Sequence, residues 1–205
     1  MANIITLTRL ILLYLIVFLA YYQDPFCQLA NTPLLLIVFI LDAVDGTVAR
    51  KRQEVSLFGA LFDIAVDRII ENVLWLVMAD LDLIPVWVAI VFITRSLLVD
   101  LIRTHGATQR KAPFSMVQSS VGRFIVASRS MRLFYAAIKA ISFAYILLIQ
   151  PLPPLLPEFY ATWSMTIDLI KLSLVYTTVT TCIIRALPVF IEFLRADNDA
   201  VLISP

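Results

Sequence analysis

Charge is what this sequence is short of. Asp, Glu, Lys and Arg make up only 15% of its 205 residues, while 61% are hydrophobic. A soluble domain of this length carries nearer to about a quarter charged residues. The shortage runs along the whole chain and gives a mean hydropathy of +0.92. An ordinary soluble globule is excluded, and an integral membrane protein is expected. Histidine occurs once, as His105, in a stretch that assigns it no role. Cys27 and Cys182 are far apart, match no metal-ligand spacing and read as ordinary apolar-site residues. Internal repeats and low-complexity tracts are also lacking, so residues 1–205 read as one membrane domain with no nucleic-acid partner.

What is present is a series of apolar runs. A hydrocarbon core of about 30 Å takes roughly 20 apolar residues per helix. Six segments reach that length: Ile4 to Tyr22, Pro33 to Ala49, Leu57 to Ala79, Ile84 to Ile102, Leu133 to Ile149, and Trp163 to Phe190. Polar residues and prolines separate them, including the four prolines between Pro151 and Pro157. The first run is as long as the later ones and has no small-residue cleavage site, so it is expected to be a retained span. The stretch Arg103 to Arg132 is polar enough to lie along the membrane surface. An all-α, six-transmembrane-helix bundle is predicted.

The basic residues orient it. Lys51 and Arg52 fall between the second and third runs. Arg103, Arg110, Lys111, Arg123, Arg129 and Arg132 fall between the fourth and fifth, and Arg195 follows the sixth. The other three connections contain no Lys or Arg. The positive-inside rule then puts both termini and both basic loops in the cytoplasm. Trp87, Trp163, Tyr21, Tyr22 and Tyr160 fall near the outer interface, where amphipathic rings are favoured.

Carboxylates stand where the apolar pattern should exclude them. Asp42 and Asp45 lie in the second run, Asp63 and Asp67 in the third. A charge near a helix centre costs about 2.5–3.5 kcal/mol on the insertion scale, so four facing lipid would cost on the order of 10 kcal/mol. They must face an interior cavity and be compensated. Residues three or four apart share a helix face. The short connection through Lys51 and Arg52 makes the two helices antiparallel neighbours, and the two pairs converge toward the cytoplasmic side. A set of oxygen ligands suits hard divalent cations such as Mg²⁺, Mn²⁺ or Ca²⁺. With no His or Cys nearby, zinc is disfavoured. Gly46 and Ala49 keep the same surface small, Arg50 offers donors suited to phosphate oxygens, and Gly59 repeats the small residue on the facing helix. Small residues there also allow close helix packing in lipid.

Taken together these positions read Asp42-x2-Asp45-Gly46-x2-Ala49-Arg50-x8-Gly59-x3-Asp63-x3-Asp67. The pattern resembles the signature of the CDP-alcohol phosphotransferase family, with all eight fixed positions at the right spacing. The resemblance implies a metal-dependent transfer of a phosphatidyl group from CDP-diacylglycerol to an alcohol, with release of CMP, in a multi-pass protein of the plasma membrane whose site faces the cytoplasm. It implies that Asp42, Asp45, Asp63 and Asp67 hold two divalent cations, Mg²⁺ or Mn²⁺, and that Asp67 is the general base. Gly46, Ala49, Arg50 and Gly59 would line the CDP site. Homodimers are common in the family.

The start of the chain, Asn3-x2-Thr6-x2-Arg9, looks like the N-terminal pattern of phosphatidylglycerophosphate synthases and relatives, where it borders the nucleotide. Asn3 and Thr6 are therefore expected at the CDP site. The segment Ile93 to Arg103 is similar to a stretch of those synthases, with Ser96 in place of a glutamate and Asp100 in place of a serine. Their later Gly-Lys-x-Lys-Thr segment is replaced by Ser128-Arg129-Ser130-Met131-Arg132. These departures lie on the acceptor side. Glycerol 3-phosphate is one candidate acceptor; inositol phosphate, inositol and serine are the others. Arg95, Arg103, Arg123, Arg132 and Lys139 are the cations that would receive an acceptor phosphate. Arg95 and Lys139 carry most weight because they lie deep in their runs. Arg68 would balance charge beside Asp67, and Asp168 with Lys171 would neutralise each other. A cation-dependent transporter is the competing reading, since membrane carboxylates also mark ion pathways. It gives no reason for the fixed Gly, Ala and Arg positions between the acidic pairs.

Overall fold

A computed structural model of the chain describes residues 2–52, 57–108 and 128–203. Within those ranges the side chains of residues 2–3, 44–52, 57, 60, 103–108, 192 and 194–203 lie outside the description. Among the described residues all regular structure is helical. The elements are α1 Ala2–Tyr21, α2 Pro25–Leu29, α3 Asn31–Arg52, α4 Leu57–Asp80, α5 Val86–Thr108, α6 Arg129–Ile149, α7 Leu152–Leu155 and α8 Pro157–Ile203.

Local chemistry sets several of these boundaries. Asp24 caps α2 by accepting from the Phe26 amide at 3.0 Å, with Pro25 at the first helical position; that arrangement satisfies an orphan donor and wastes none. The chain leaves α4 through Asp82, whose φ of 56° is left-handed, a conformation that Asp tolerates better than most residues. Helix α8 opens on Pro157 and carries Glu158 in its first turn, where the helix dipole favours an anion.

Each of the six apolar runs coincides with a long helix. Four stretches are long and apolar enough to cross a membrane: Ile4–Tyr21, Pro25–Ala43, Arg129–Leu155 and Pro157–Ile191. Helices α4 and α5 have 24 and 23 residues. At 1.5 Å per residue they reach about 36 and 34 Å, also beyond a hydrocarbon core. Both carry several charges, α4 at Asp63, Asp67, Arg68 and Glu71, and α5 at Arg95, Asp100 and Arg103. Of the expected surface segment, α5 takes the part up to Thr108 as a helical extension, and residues 109–127 lie outside the description.

The contacts divide the chain into two compact units, Met1–Ala89 with Ser142–Leu172, and Ile90–Ile141 with Ser173–Pro205. In the first, α1 packs on α3 and α4. Its buried residues are Thr6, Arg9, Leu13, Ile16 and Ala20, a spacing of three and four that keeps one face inward. The opposite face, with Ile4, Leu7, Ile11 and Phe18, is exposed and apolar, as a lipid-facing surface requires. On α3 the matching inward line is Asn31, Leu35 and Val38, leading to Asp42 one turn on. On α4 it is Val66, Ile70, Leu74 and Met78, with the Trp75 ring tilted against Phe143 at a centroid distance of 4.5 Å. Two side-chain amides secure the end of α1: Gln150 Nε2 donates to the Ala20 carbonyl and Gln28 Nε2 to the Tyr22 carbonyl, both at 2.7 Å. Carbonyls that a helix end leaves without partners are thus satisfied, and α1 is held in register at one end.

In the second unit, Phe92, Ser96, Val99 and Ile102 of α5 are buried, as are Tyr135 of α6 and Val175, Thr178, Val179, Cys182, Arg185 and Ala186 of α8. Both lines again follow helical spacing. Each places a polar or charged side chain inward among apolar ones.

Candidate functional site

The register of three helices assembles the acidic site. Arg9 of α1 meets both Asp63 and Asp67 of α4, and Tyr21 of α1 meets Asp80 of α4. Those offsets of nearly constant size make α1 and α4 parallel. Helix α3 packs on α1, and the inward line that begins at Asn31 arrives beside Arg9 at Asp42. The result is one guanidinium between three carboxylates. Arg9 Nη1 donates to Asp63 Oδ1 at 2.9 Å, and Nη2 pairs with Asp42 Oδ1 at 2.9 Å and with Asp67 Oδ1.

Burial is unequal across this cluster. The Arg9 side chain is 3% exposed, whereas those of Asp42, Asp63 and Asp67 are 46%, 43% and 49% exposed. The arginine is the floor and the carboxylates are an open rim. One oxygen from each aspartate lies within 4.8 Å of the others. Three carboxylates at that range repel strongly unless a cation shares their field. Arg9 meets that requirement in part, and the all-oxygen donor set is the kind that hard divalent ions take. The residues therefore fit a divalent cation: the donors are hard and convergent, and a positive group already sits among them.

Of the other residues expected at this site, Thr6 is buried one turn before Arg9 on α1, and Gly59 lies one turn before Asp63 on α4. Asp45, Gly46, Ala49 and Arg50 are carried by α3, and Asn3 by α1, with side chains outside the described set. Arg68 pairs with the buried Glu71 at 3.4 Å, a carboxylate the sequence reading passed over. Asp168 and Lys171 neutralise each other at 2.8 Å, as expected. Cys182 is buried, and Cys27 lies 3.4 Å from an Asp24 carboxylate oxygen rather than in an apolar site.

Cations converge in the second unit as well. Arg95 of α5, Lys139 of α6 and Arg185 of α8 approach the Tyr135 ring, with charge-to-centroid distances of 5.8, 5.2 and 5.4 Å. Cations within about 6 Å of a ring are attracted by its quadrupole, which lets one aromatic side chain hold three like charges in a small volume. The Nε of Arg95 is buried with no hydrogen-bond partner. Arg95 and Lys139 were expected; Arg185 was missed, although a buried arginine inside an apolar run is itself a signal of function. Arg132 is exposed near the start of α6. The side chain of Arg103, and Arg123 altogether, fall outside the described residues.

Comparison with known proteins gives the family. The chain is 32% identical over 109 residues to a CDP-diacylglycerol–glycerol-3-phosphate 3-phosphatidyltransferase of Bacillus subtilis (strain 168). That match covers 47% of this chain and 56% of the relative, so the chain spans little more than half the length of the curated protein it resembles. The family model for CDP-alcohol phosphatidyltransferases matches residues 1–183, which include every helix of the acidic site. The chain belongs to the CDP-alcohol phosphatidyltransferase family.

Proposed function

We propose that this protein is a phospholipid-synthesising enzyme that transfers a phosphatidyl group from CDP-diacylglycerol to glycerol 3-phosphate, releasing CMP. The observation that carries the reading is the convergence of Asp42, Asp63 and Asp67, from two helices, within 4.8 Å around a positive group. A transporter needs no cluster of this kind joined to the full family motif. Two divalent cations, Mg²⁺ or Mn²⁺, held by these aspartates with Asp45 would supply charge neutralisation for the diphosphate and the departing CMP.

The chain's own residues do the rest. Asp67 accepts the proton of the attacking hydroxyl. The hydroxyl oxygen forms a bond to the phosphorus that carries the diacylglycerol, and the bond from that phosphorus to the oxygen bridging it to CMP breaks. The contribution of Asp67 is mainly position. Gly46, Ala49, Arg50, Gly59, Asn3 and Thr6 bound the CDP site. Arg95, Lys139 and Arg185 receive the acceptor's phosphate, and Arg95 with its unpartnered Nε supports a ligand with several acceptor oxygens. The relative's printed acceptor, glycerol 3-phosphate, carries such a group.

A six-span arrangement with the acidic rim toward the cytoplasm suits this chemistry, because the donor is a lipid and the acceptor is water-soluble. The lengths of α4 and α5 support it, and so does Arg9, which lowers the cost of keeping three carboxylates in a span. The plasma membrane is the proposed location, with membrane lipid around the bundle and a homodimer as the assembly.

The test is CMP release by the purified protein given CDP-diacylglycerol and Mn²⁺, with glycerol 3-phosphate, inositol phosphate, inositol and serine supplied separately. Release with glycerol 3-phosphate, stopped by chelator, is the expected result. Release with another of the four would move the assignment within the family. Silence with all four, together with no metal-dependent CDP binding, would overturn the enzyme reading.

A further inference from the structure

Arg9 is placed unusually for a residue in a metal-dependent site. Its guanidinium pairs with one oxygen of each of three aspartates on two helices, and its side chain is more deeply buried than any of theirs. An arginine stays charged at any working pH. This positive charge therefore persists when a divalent cation arrives, and it shares that cation's oxygens at hydrogen-bond range. Two effects follow with opposite signs. Arg9 draws the ligands together, which favours the metal, and it repels the metal, which opposes it. The second should dominate, because the aspartates stand on α3 and α4, which pack against α1 and also bury the apolar side chains of Leu35, Val38, Val66 and Ile70, so Arg9 is not their sole restraint. Electrostatic repulsion between charges that share ligand atoms has no such substitute.

The charge balance then gives Arg9 a purpose. The four motif aspartates and Arg9 together carry three negative charges. Two divalent cations overshoot that by one, so the loaded site has a positive excess that attracts the two negative charges of a nucleotide-linked diphosphate. With Arg9 removed, the same two cations would balance the aspartates alone and leave nothing over for the diphosphate. We propose that Arg9 is a resident counter-cation. It holds the carboxylates together before metal arrives, weakens metal binding to the empty site, and so makes metal and the nucleotide's diphosphate bind cooperatively. Binding coupled in this way is reciprocal: each ligand tightens the other by the same factor. The inference rests on the proposed function for the identity of the anion.

The experiment is Mn²⁺ binding to the full chain purified in detergent micelles, with free Mn²⁺ read by its electron paramagnetic resonance signal. Titrations are run with and without CDP and corrected for Mn²⁺–CDP formed in solution. In the wild type, CDP should tighten Mn²⁺ binding about tenfold or more. In Arg9→Gln, Mn²⁺ alone should bind at least about tenfold tighter than in the wild type, and the effect of CDP should shrink to less than about threefold. Arg9→Lys keeps the charge and loses the two-pronged reach, so its Mn²⁺–CDP coupling should stay within about threefold of wild type. Unchanged or weaker Mn²⁺ binding in Arg9→Gln overturns the inference, as does loss of coupling in Arg9→Lys, which decides the matter if the glutamine variant does not fold. A wild type that binds Mn²⁺ and releases CMP but shows no coupling overturns this inference alone. A wild type that binds no Mn²⁺ overturns it together with the functional reading.

Discussion

Asp67 has two duties in the proposed reaction that pull against each other. As a ligand it must be ionised and close to cations; as a base it must still take a proton. Its side chain is half exposed and bonded to Arg9 through one oxygen, which leaves the carboxylate room to face a substrate hydroxyl. Asp67→Asn keeps the shape and an oxygen ligand while removing the base. Turnover should fall about 10²–10⁴-fold, the usual scale of general-base catalysis, whereas CDP binding at saturating Mn²⁺ should change less than about tenfold. Parallel measurement of CMP release and CDP binding separates the two, and near-normal turnover in this variant would remove Asp67 from the mechanism. At the Tyr135 cluster the expectation is different in kind. Arg185→Gln takes away one of three charges around the ring, and a hydrogen bond to a charged group is worth about 1.5–3 kcal/mol. The KM for glycerol 3-phosphate should therefore rise about tenfold or more, with the apparent affinity for CDP-diacylglycerol unchanged. A rise in both would mean that the substitution disturbs the fold rather than an acceptor subsite.

Helices were the legible part of this protein and their pairing was not. Apolar runs of spanning length mark all six long helices, and aspartates spaced by three and four mark one face of α3 and of α4. The roles of two residues escaped for the same physical reason. Arg9 stands in the N-terminal pattern, but its acidic partners lie more than thirty residues away and become neighbours only through the register of α1 against α3 and α4. Arg185 sits in an apolar run with no local motif, and only the folded second unit brings it to Tyr135. Arg68 adds a partner that adjacency to Asp67 did not suggest: it pairs with Glu71, one turn further along α4. The packing that keeps these registers has its own test. Trp75 is fully buried and packs its ring at a tilt against Phe143; replacing such a residue by alanine costs about 3–5 kcal/mol. Trp75→Ala should lower the thermal unfolding midpoint in detergent markedly more than Trp163→Ala, because Trp163 is half exposed on α8. Equal losses would mean that the contact of Trp75 with Phe143 does not hold the first unit together.

The whole molecule is decided by how many times the chain crosses the bilayer, since that determines which solution the acidic rim faces. Four helical stretches meet the length and hydropathy of a span without qualification. If only these crossed, α4 and α5 would have to lie out of the hydrocarbon while still presenting Ile64, Leu76, Ile90 and Leu97 as exposed apolar surface, which water disfavours by roughly 25 cal/mol per Å². Six crossings put those residues against lipid, leave Arg9 to compensate the aspartates, and send every basic connection to the same side. The two schemes differ in a way that labelling can read. Cysteines placed singly at Lys51, Asp82 and Thr162, in a chain with Cys27 and Cys182 replaced by serine, would be challenged in intact cells with a membrane-impermeant maleimide. Six spans predict labelling at positions 82 and 162 from outside, and at 51 only after lysis. If α4 and α5 do not cross, position 82 stays on the same side as position 51 and is labelled only after lysis. That outcome would keep the acidic cluster but remove the case for a site buried in the cytoplasmic half of a six-helix membrane domain.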